Sequence, residues 1–339
     1  MEIKEALSEI IQGRDLQRED MTSVMFQILE GRSTDALIGA FLVALNIKGE
    51  SIDEVVGAVS VMRELSEKVE VDTHHLVDTC GTGGTGVGIF NVSTASAFIA
   101  CAGGARVAKH GNRSATRNSG SADLLEEAGL SLELSPKKVS RCIEEIGVGF
   151  MFAPAHHSAM KHAVGPRKEM GIKTIFNILG PLTNPAGALN QVIGVYDKRW
   201  VKPIAEVLKE LGSHHVLVVH SKDHLDEISI ADETYVAELH NGSIEEYVIK
   251  PEDFGFKKHS LEDLMVSSAS ESLSIIKQGF LDKNQAASSM IAMNAGAALY
   301  ASGVTVSLKE GVINAMECIK GGKGLKKLDE LISFSQSLV

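Results

Sequence analysis

The feature that most limits what this chain can fold into is a glycine-dense crossing between two regular elements. A short apolar run, His75-Leu76-Val77-Asp78-Thr79-Cys80, leads into Gly81-Thr82-Gly83-Gly84-Thr85-Gly86-Val87-Gly88. The chain then enters Asn91-Val92-Ser93-Thr94-Ala95-Ser96-Ala97-Phe98-Ile99-Ala100, a helix-like run opened by Asn, Ser and Thr. Five glycines within eight residues let backbone N–H groups approach an anion closely, and a helix end adds unpaired donors and partial positive charge. Strand, glycine loop and helix N-terminus together read as a phosphate-binding arrangement. A second strand, Ala105-Arg106-Val107-Ala108-Lys109-His110, runs into the basic, glycine-broken loop Gly111-Asn112-Arg113-Ser114. Both loops are expected at the same carboxyl edge of a parallel sheet.

The charge pattern points the same way. From Thr79 to Ala122 there are 44 residues without an Asp or Glu, although the chain carries 44 acidic residues in 339, which would put about six there. Arg106, Lys109, Arg113 and Arg117 lie in this window, a local cationic island in a protein of net charge −11. Such an island focuses a polyanion into a cleft whatever the overall charge. Gly81-Thr82-Gly83-Gly84-Thr85-Gly86 also satisfies G-x-G-x-x-G, but a dinucleotide fold wants an acidic residue about twenty positions on, where Arg106 and Lys109 stand. A P-loop is excluded because Val87, not Lys, follows Gly86.

Around this centre the hydrophobic pattern predicts an α/β chain with a small all-helical domain at residues 1–72 and a larger α/β domain at 73–339. Val24, Met25, Ile28 and Leu29 recur at helical spacing, as do Leu37, Ile38, Phe41, Leu42 and Leu45, and Ser51-Ile52-Asp53-Glu54 has the form of a capping box. His74 and His75 mark the crossing into the second domain. There, strand-like runs at 148–152, 191–195 and 215–220 alternate with helical segments, the pattern of a mostly parallel central sheet flanked by helices. Runs at 236–239 and 246–249 around Asn241-Gly242 predict a hairpin, and the last fifty residues return to helix. Ser119-Gly120-Ser121 opens a further helix, with serines suited to N-capping or to an anion. No run reaches the roughly eighteen apolar residues of a membrane span. The N-terminus lacks a signal peptide's apolar segment, and the four cysteines form no C-x-x-C pair, so a cytoplasmic enzyme with reduced thiols is expected.

Four motifs in order, Gly81-Thr82-Gly83-Gly84, Asn91-Val92-Ser93-Thr94, Lys109-His110-Gly111-Asn112-Arg113 and Asn177-Ile178-Leu179-Gly180-Pro181-Leu182-Thr183-Asn184-Pro185, resemble the signature runs of the anthranilate phosphoribosyltransferases. The resemblance implies a nucleoside phosphorylase/phosphoribosyltransferase-like fold, with part of 156–185 crossing back to the helical domain. It also implies transfer of 5-phosphoribose from 5-phosphoribosyl 1-diphosphate (PRPP) to the amine of anthranilate, a step of tryptophan biosynthesis. PRPP is expected on Gly81, Thr82, Gly83, Gly84, Thr85, Asn91, Ser93, Thr94, Lys109, His110, Gly111, Asn112 and Ser121. Anthranilate is expected on Gly81, Asn112, His157 and Arg167, whose guanidinium suits a carboxylate.

A second chemical feature is the acidic pair Asp226-Glu227, on a loop after the strand ending at His220. Adjacent carboxylates are hard oxygen ligands suited to Mg²⁺ bound through substrate phosphates, and the resemblance adds Ser93 to them. His157 and His162 are five apart, outside H-E-x-x-H spacing, so zinc is not expected in that stretch. An aryl amine carries its own lone pair near pH 7, so neither a covalent nucleophile nor a general base is assigned. Three positions depart from the family pattern: Thr85 in place of a common Asp, Ile89 in place of a Thr, and Ser158 in place of the Pro after His157. The alternatives are a pyrimidine-nucleoside-phosphorylase-like enzyme of the same architecture and a non-catalytic relative that binds nucleic acid. The acidic total charge and the retained Asp226-Glu227 pair argue against the second, and no membrane partner is expected. The resemblance also implies a homodimer formed through the N-terminal helices.

Overall fold

The computed structural model describes residues 1–114 and 119–339. Four helices come first: α1 (Ile3–Ile11), α2 (Arg18–Leu29), α3 (Asp35–Lys48) and α4 (Ile52–Glu64). Their ends are set by local chemistry. Thr34 caps α3 by accepting from the Leu37 N–H, and Ser51 and Glu54 exchange side-chain bonds with each other's N–H at the start of α4. Glu54 is fully buried yet paired, since it also accepts from Lys48 at 3.0 Å and from the Leu16 N–H at 2.9 Å.

The second part alternates strand and helix: β1 (Leu76–Gly81), α5 (Val92–Ala102), β2 (Arg106–Gly111), α6 (Ser121–Glu127), α7 (Pro136–Ile146) and β3 (Val148–Phe152). Three short helices follow, α8 (Ala153–His156), α9 (Lys161–Met170) and α10 (Phe176–Leu179), before β4 (Asn190–Gly194), α11 (Val201–Glu210) and β5 (His215–Ser221). The hairpin β6 (Thr234–His240) and β7 (Ser243–Ile249) turns at Asn241 and Gly242, both with positive φ, the conformation that an Asn-Gly hairpin turn requires. Helices α12 (Ala269–Phe280), α13 (Gln285–Ala301), α14 (Leu308–Lys320) and α15 (Lys323–Ser337) complete the chain.

The strands form one sheet in the order β3-β2-β1-β4-β5-β6-β7, parallel from β3 to β5 and antiparallel in the closing hairpin. The chain winds outward on both sides of β1 and β4, so the switch point of the topology lies between these two strands, where α/β sheets leave a crevice at the carboxyl edge. Side chains alternate between two apolar clusters across the sheet. On β5, Leu217 and Val219 join a cluster with α5, α12 and α13, whereas Val216 and Val218 join one with α11 and the N-terminal helices. Ala163, Ile175, Phe176, Ile178 and Leu179 of the 153–185 segment belong to that second cluster too. The helical part therefore has no separate core: it shares one with a face of the sheet. The four cysteines are free and buried.

At the switch point two glycines face each other in register, Gly81 of β1 and Gly194 of β4. A Cβ on Gly194 would lie 1.6 Å from the Asp226 carbonyl oxygen, and one on Gly81 would lie 2.6 Å from the Asp226 carboxylate. The segment after β5 folds into the space that these absent side chains leave. Gly194→Ala is expected to displace that segment, lowering stability by about 1–3 kcal/mol in denaturant unfolding. A midpoint equal to that of the parent protein would mean that the segment is not held there.

Candidate active site

The glycine loop leaves β1 with Gly83, Gly84 and Gly86 at φ of +63°, +76° and +76°, which side chains other than glycine's rarely adopt. Its base is pinned by the Thr82 N–H donating to Gly194 O at 2.8 Å and by Thr82 Oγ1 accepting from the Tyr196 N–H at 2.9 Å. Asp226 is only 3% exposed and accepts from the Gly83 N–H at 2.9 Å. Glu227 accepts from the Ser93 N–H in the first turn of α5 at 3.3 Å. The acidic pair is thus not a solvated loop feature: it ties the glycine loop to the helix start, using two donors of the kind an anion would use. The carboxylates of Asp226 and Glu227 and the hydroxyl of Ser93, whose N–H Glu227 accepts, are hard-oxygen donors, a set that fits Mg²⁺ better than any softer ion.

Beneath them lies Lys109, 2% exposed, which donates to Thr79 O and, at 3.3 Å, to Ser93 Oγ. Burial draws its pKa down, opposed by the nearby Asp78 and Glu227. Asp78 is itself fully buried, held by the His110 N–H at 3.2 Å and by Asn184 Nδ2 at 2.7 Å. Asn91 does not cap α5 but links it to its neighbours, accepting from Ser119 Oγ and from Ser272 Oγ. Thr94 Oγ1 donates to Ser121 Oγ at 3.1 Å, so these serines join α6 to α5 and neither caps α6 with its side chain.

The cationic island is smaller than the sequence suggests. Arg106 starts β2, at the amino edge of the sheet, and pairs there with Asp72 and Glu144. Arg113 pairs with Asp123 and Glu126, acids that lie just past the acid-free window. Arg117 falls outside the described residues. A count along the chain cannot register that strands carry alternate ends to opposite edges, or that a helix returns acids to the loop before it. Of the described cations in that window, only Lys109 lies under the glycine loop.

A second group forms around the 153–185 segment. The His110 and His157 ring centroids are 5.1 Å apart, and the Nε2 atoms of both are buried with no partner among the described residues. Desolvation lowers the His157 pKa to about 4 and pushes that of His110 well down, so both rings are neutral near pH 7. Arg167, on α9, lies 5.1 Å over the Phe176 ring and makes no ion pair among the described residues, and burial lowers its pKa. Asn112 is exposed and its side chain accepts from the Arg113 N–H. Ile89, one of the departures from the family pattern, is buried and bridges to Met265.

Two features were not singled out from sequence. Asp78 was visible only as the polar end of an apolar run. Lys173 has its ammonium 3.8 Å from the Tyr196 ring centroid, while its side chain comes within 3.4 Å of where a Gly84 Cβ would stand. Its carbonyl accepts from Asn46 of α3 at 2.7 Å, so it links the helical part to the glycine loop. An exposed lysine in a polar stretch gives no sequence signal for that position.

Two family models match: the glycosyl transferase family helical bundle domain over residues 4–66 and the glycosyl transferase family a/b domain over residues 73–325. Fold and site thus define a two-part glycosyl transferase. The chain is 56% identical over 339 residues to the anthranilate phosphoribosyltransferase of Saccharophagus degradans, covering 99% of each. It superposes on that of Thermus thermophilus with a TM-score of 0.92 at 39% identity, covering 98% of this chain and 99% of that one. The Saccharomyces cerevisiae enzyme in complex with PRPP and Mg matches with a TM-score of 0.88 at 27% identity, over 99% and 98% of the two chains. The chain belongs to the anthranilate phosphoribosyltransferases, pentosyltransferases of tryptophan biosynthesis. No helix among the described residues is long and apolar enough to cross a membrane.

The buried histidines set a pH dependence. The folded-state pKa of His157 is depressed from 6.5 to about 4, so the unfolded chain binds the extra proton between those values. Stability is then full above pH 6.5 and falls as pH drops toward 4, by about 3 kcal/mol for this residue. His157→Asn should flatten that part of the denaturant-midpoint profile. An unchanged slope between pH 6.5 and 4 would show that His157 does not titrate as described.

Proposed function

We propose that the reaction takes place between two lobes, residues 1–72 with part of 156–185 and residues 73–339. PRPP lies on the glycine loop and anthranilate lies against the 153–185 segment. The reading rests above all on Asp226 and Glu227, which are folded onto the Gly83 and Ser93 N–H groups at the switch point of the sheet. Asp226, Glu227 and Ser93 would hold Mg²⁺, which supplies positive charge to the diphosphate.

The barrier to transfer is cleavage of the C1′–O bond, in which negative charge grows on diphosphate and positive charge on the ribose. The loop from Gly81 to Thr85 and the first turn of α5, with Asn91, Ser93 and Thr94, would border the growing negative charge. The Thr82, Gly83 and Ser93 N–H groups are given to Gly194 O, Asp226 and Glu227, so the approach to diphosphate falls to the Gly84 and Thr85 backbone. Lys109 holds Ser93 from below and adds positive potential to the same spot. Gly111 at the end of β2, Asn112 after it and Ser121 at the start of α6 would complete the PRPP contacts. The acceptor needs orientation rather than deprotonation, because its amine lone pair is already available. His110 and His157 are neutral and cannot balance a carboxylate, so that task falls to Arg167, which stays charged despite its burial. His157 and Asn112 then position the ring and the amine. The bond that forms joins the anthranilate nitrogen to C1′, the bond that breaks frees diphosphate, and the amine proton leaves to solvent.

Mixing the protein with PRPP, Mg²⁺ and anthranilate should abolish anthranilate fluorescence as diphosphate is released. Fluorescence that persists while diphosphate appears only with another acceptor would overturn the assignment. Within that assay, Arg167→Ala should raise the KM for anthranilate by about ten- to a hundredfold, the loss of a charge-assisted hydrogen-bonded pair, and leave the KM for PRPP nearly unchanged. Aniline, without a carboxylate, should be a poor acceptor for both proteins. Equal damage to aniline and anthranilate would move the carboxylate contact to another side chain, with Lys161, His162 and Lys168 the next candidates.

A further inference from the structure

At the opposite edge of the sheet from the glycine loop, three side chains that the transfer reaction does not use converge. His215 begins β5 and His240 ends β6, and the two are register partners across the antiparallel pair. Their rings stack with centroids 4.1 Å apart at an interplanar angle of 12°. Glu238, two residues before His240 on the same face of β6, accepts at 2.8 Å from His215 Nε2 through its Oε1. One donor atom from each of the three lies within 4.8 Å of the others.

We propose that His215, Glu238 and His240 form a transition-metal site for an ion of the Zn²⁺ class, separate from the oxygen-donor pair Asp226 and Glu227. Two imidazoles and one carboxylate are a donor set that binds Zn²⁺ and leaves a fourth position open to water, whereas Mg²⁺ favours oxygen ligands alone. The ligands stand on adjacent strands of one sheet, so little order need be gained on binding. The Tyr247 hydroxyl donates at 2.6 Å to Glu238 Oε2, fixing the carboxylate with Oε1 turned toward His215, the type of outer contact that orients metal ligands. The Tyr300 ring packs against His215 at an interplanar angle of 87° with centroids 4.5 Å apart and limits how that imidazole can turn.

Ligands of a tetrahedral ion at about 2.0–2.1 Å lie roughly 3.3 Å apart, so the present spread must close. His240 can close it, because it is exposed and its ring makes no hydrogen bond among the described residues. On binding, the proton between His215 Nε2 and Glu238 Oε1 gives way to the ion and passes to solvent or to Nδ1.

Calorimetric titration of the whole protein with Zn²⁺, in excess Mg²⁺ to occupy the oxygen ligands, tests this directly. One equivalent should bind to the parent protein, and His240→Ala should bind it at least about tenfold more weakly, with transferase activity in Mg²⁺ unchanged. His240→Phe keeps a ring stacked on His215 but removes both nitrogens, so it separates loss of a ligand from loss of packing and should behave as His240→Ala does. Co²⁺ in place of Zn²⁺ should give visible absorption bands of a tetrahedral complex in the parent protein and in neither variant. The absence of Zn²⁺ uptake by the parent protein, or equal uptake by all three proteins, would overturn the proposal.

Discussion

The structure depends on one close approach. Because Gly81 and Gly194 carry no side chain, the segment after β5 can lie across the ends of β1 and β4, bringing the Asp226 backbone within a distance that any Cβ would forbid. From there Asp226 meets the Gly83 N–H and Glu227 meets the Ser93 N–H. The glycine loop holds three residues in left-handed conformations and is tied at its base by Thr82 to Gly194 and Tyr196. The acidic segment adds a further bond at Gly83, at the same point where the sheet topology opens a crevice.

Burial organises the charges around this contact. Lys109 and Asp78 sit beneath the loop with their hydrogen bonds made inside the protein, so both side chains are held in place rather than moving as surface groups. Near the 153–185 segment, desolvation neutralises His110 and His157 but cannot neutralise a guanidinium. Burial thus leaves two neutral rings in contact with each other and, on α9, a guanidinium over the Phe176 ring.

Much of this was legible in the sequence. The strand–glycine–helix order, the capping box at Ser51, the hairpin at Asn241-Gly242 and the Asp226-Glu227 pair are local signals, each written in a few adjacent residues. What was not legible depends on which edge of the sheet a residue reaches and on what returns to meet it. Arg106 reads as part of an anion site until its place at the start of β2 puts it among Asp72 and Glu144. Asp226 reads as a loop carboxylate until Gly194 shows how deeply that loop is seated. Lys173 carries no signal because its role comes from Asn46 and Tyr196, both distant in sequence.

Where the two substrates sit relative to these groups decides whether they do this work. A crystal structure with PRPP, Mg²⁺ and anthranilate should place diphosphate oxygens against the glycine loop at Gly84 and Thr85, and the metal about 2.0–2.1 Å from its oxygen ligands on Asp226 and Glu227. The anthranilate carboxylate should lie on Arg167, with its amine turned toward C1′. Diphosphate bound away from the glycine loop, or a metal that bypasses both carboxylates, would contradict the account.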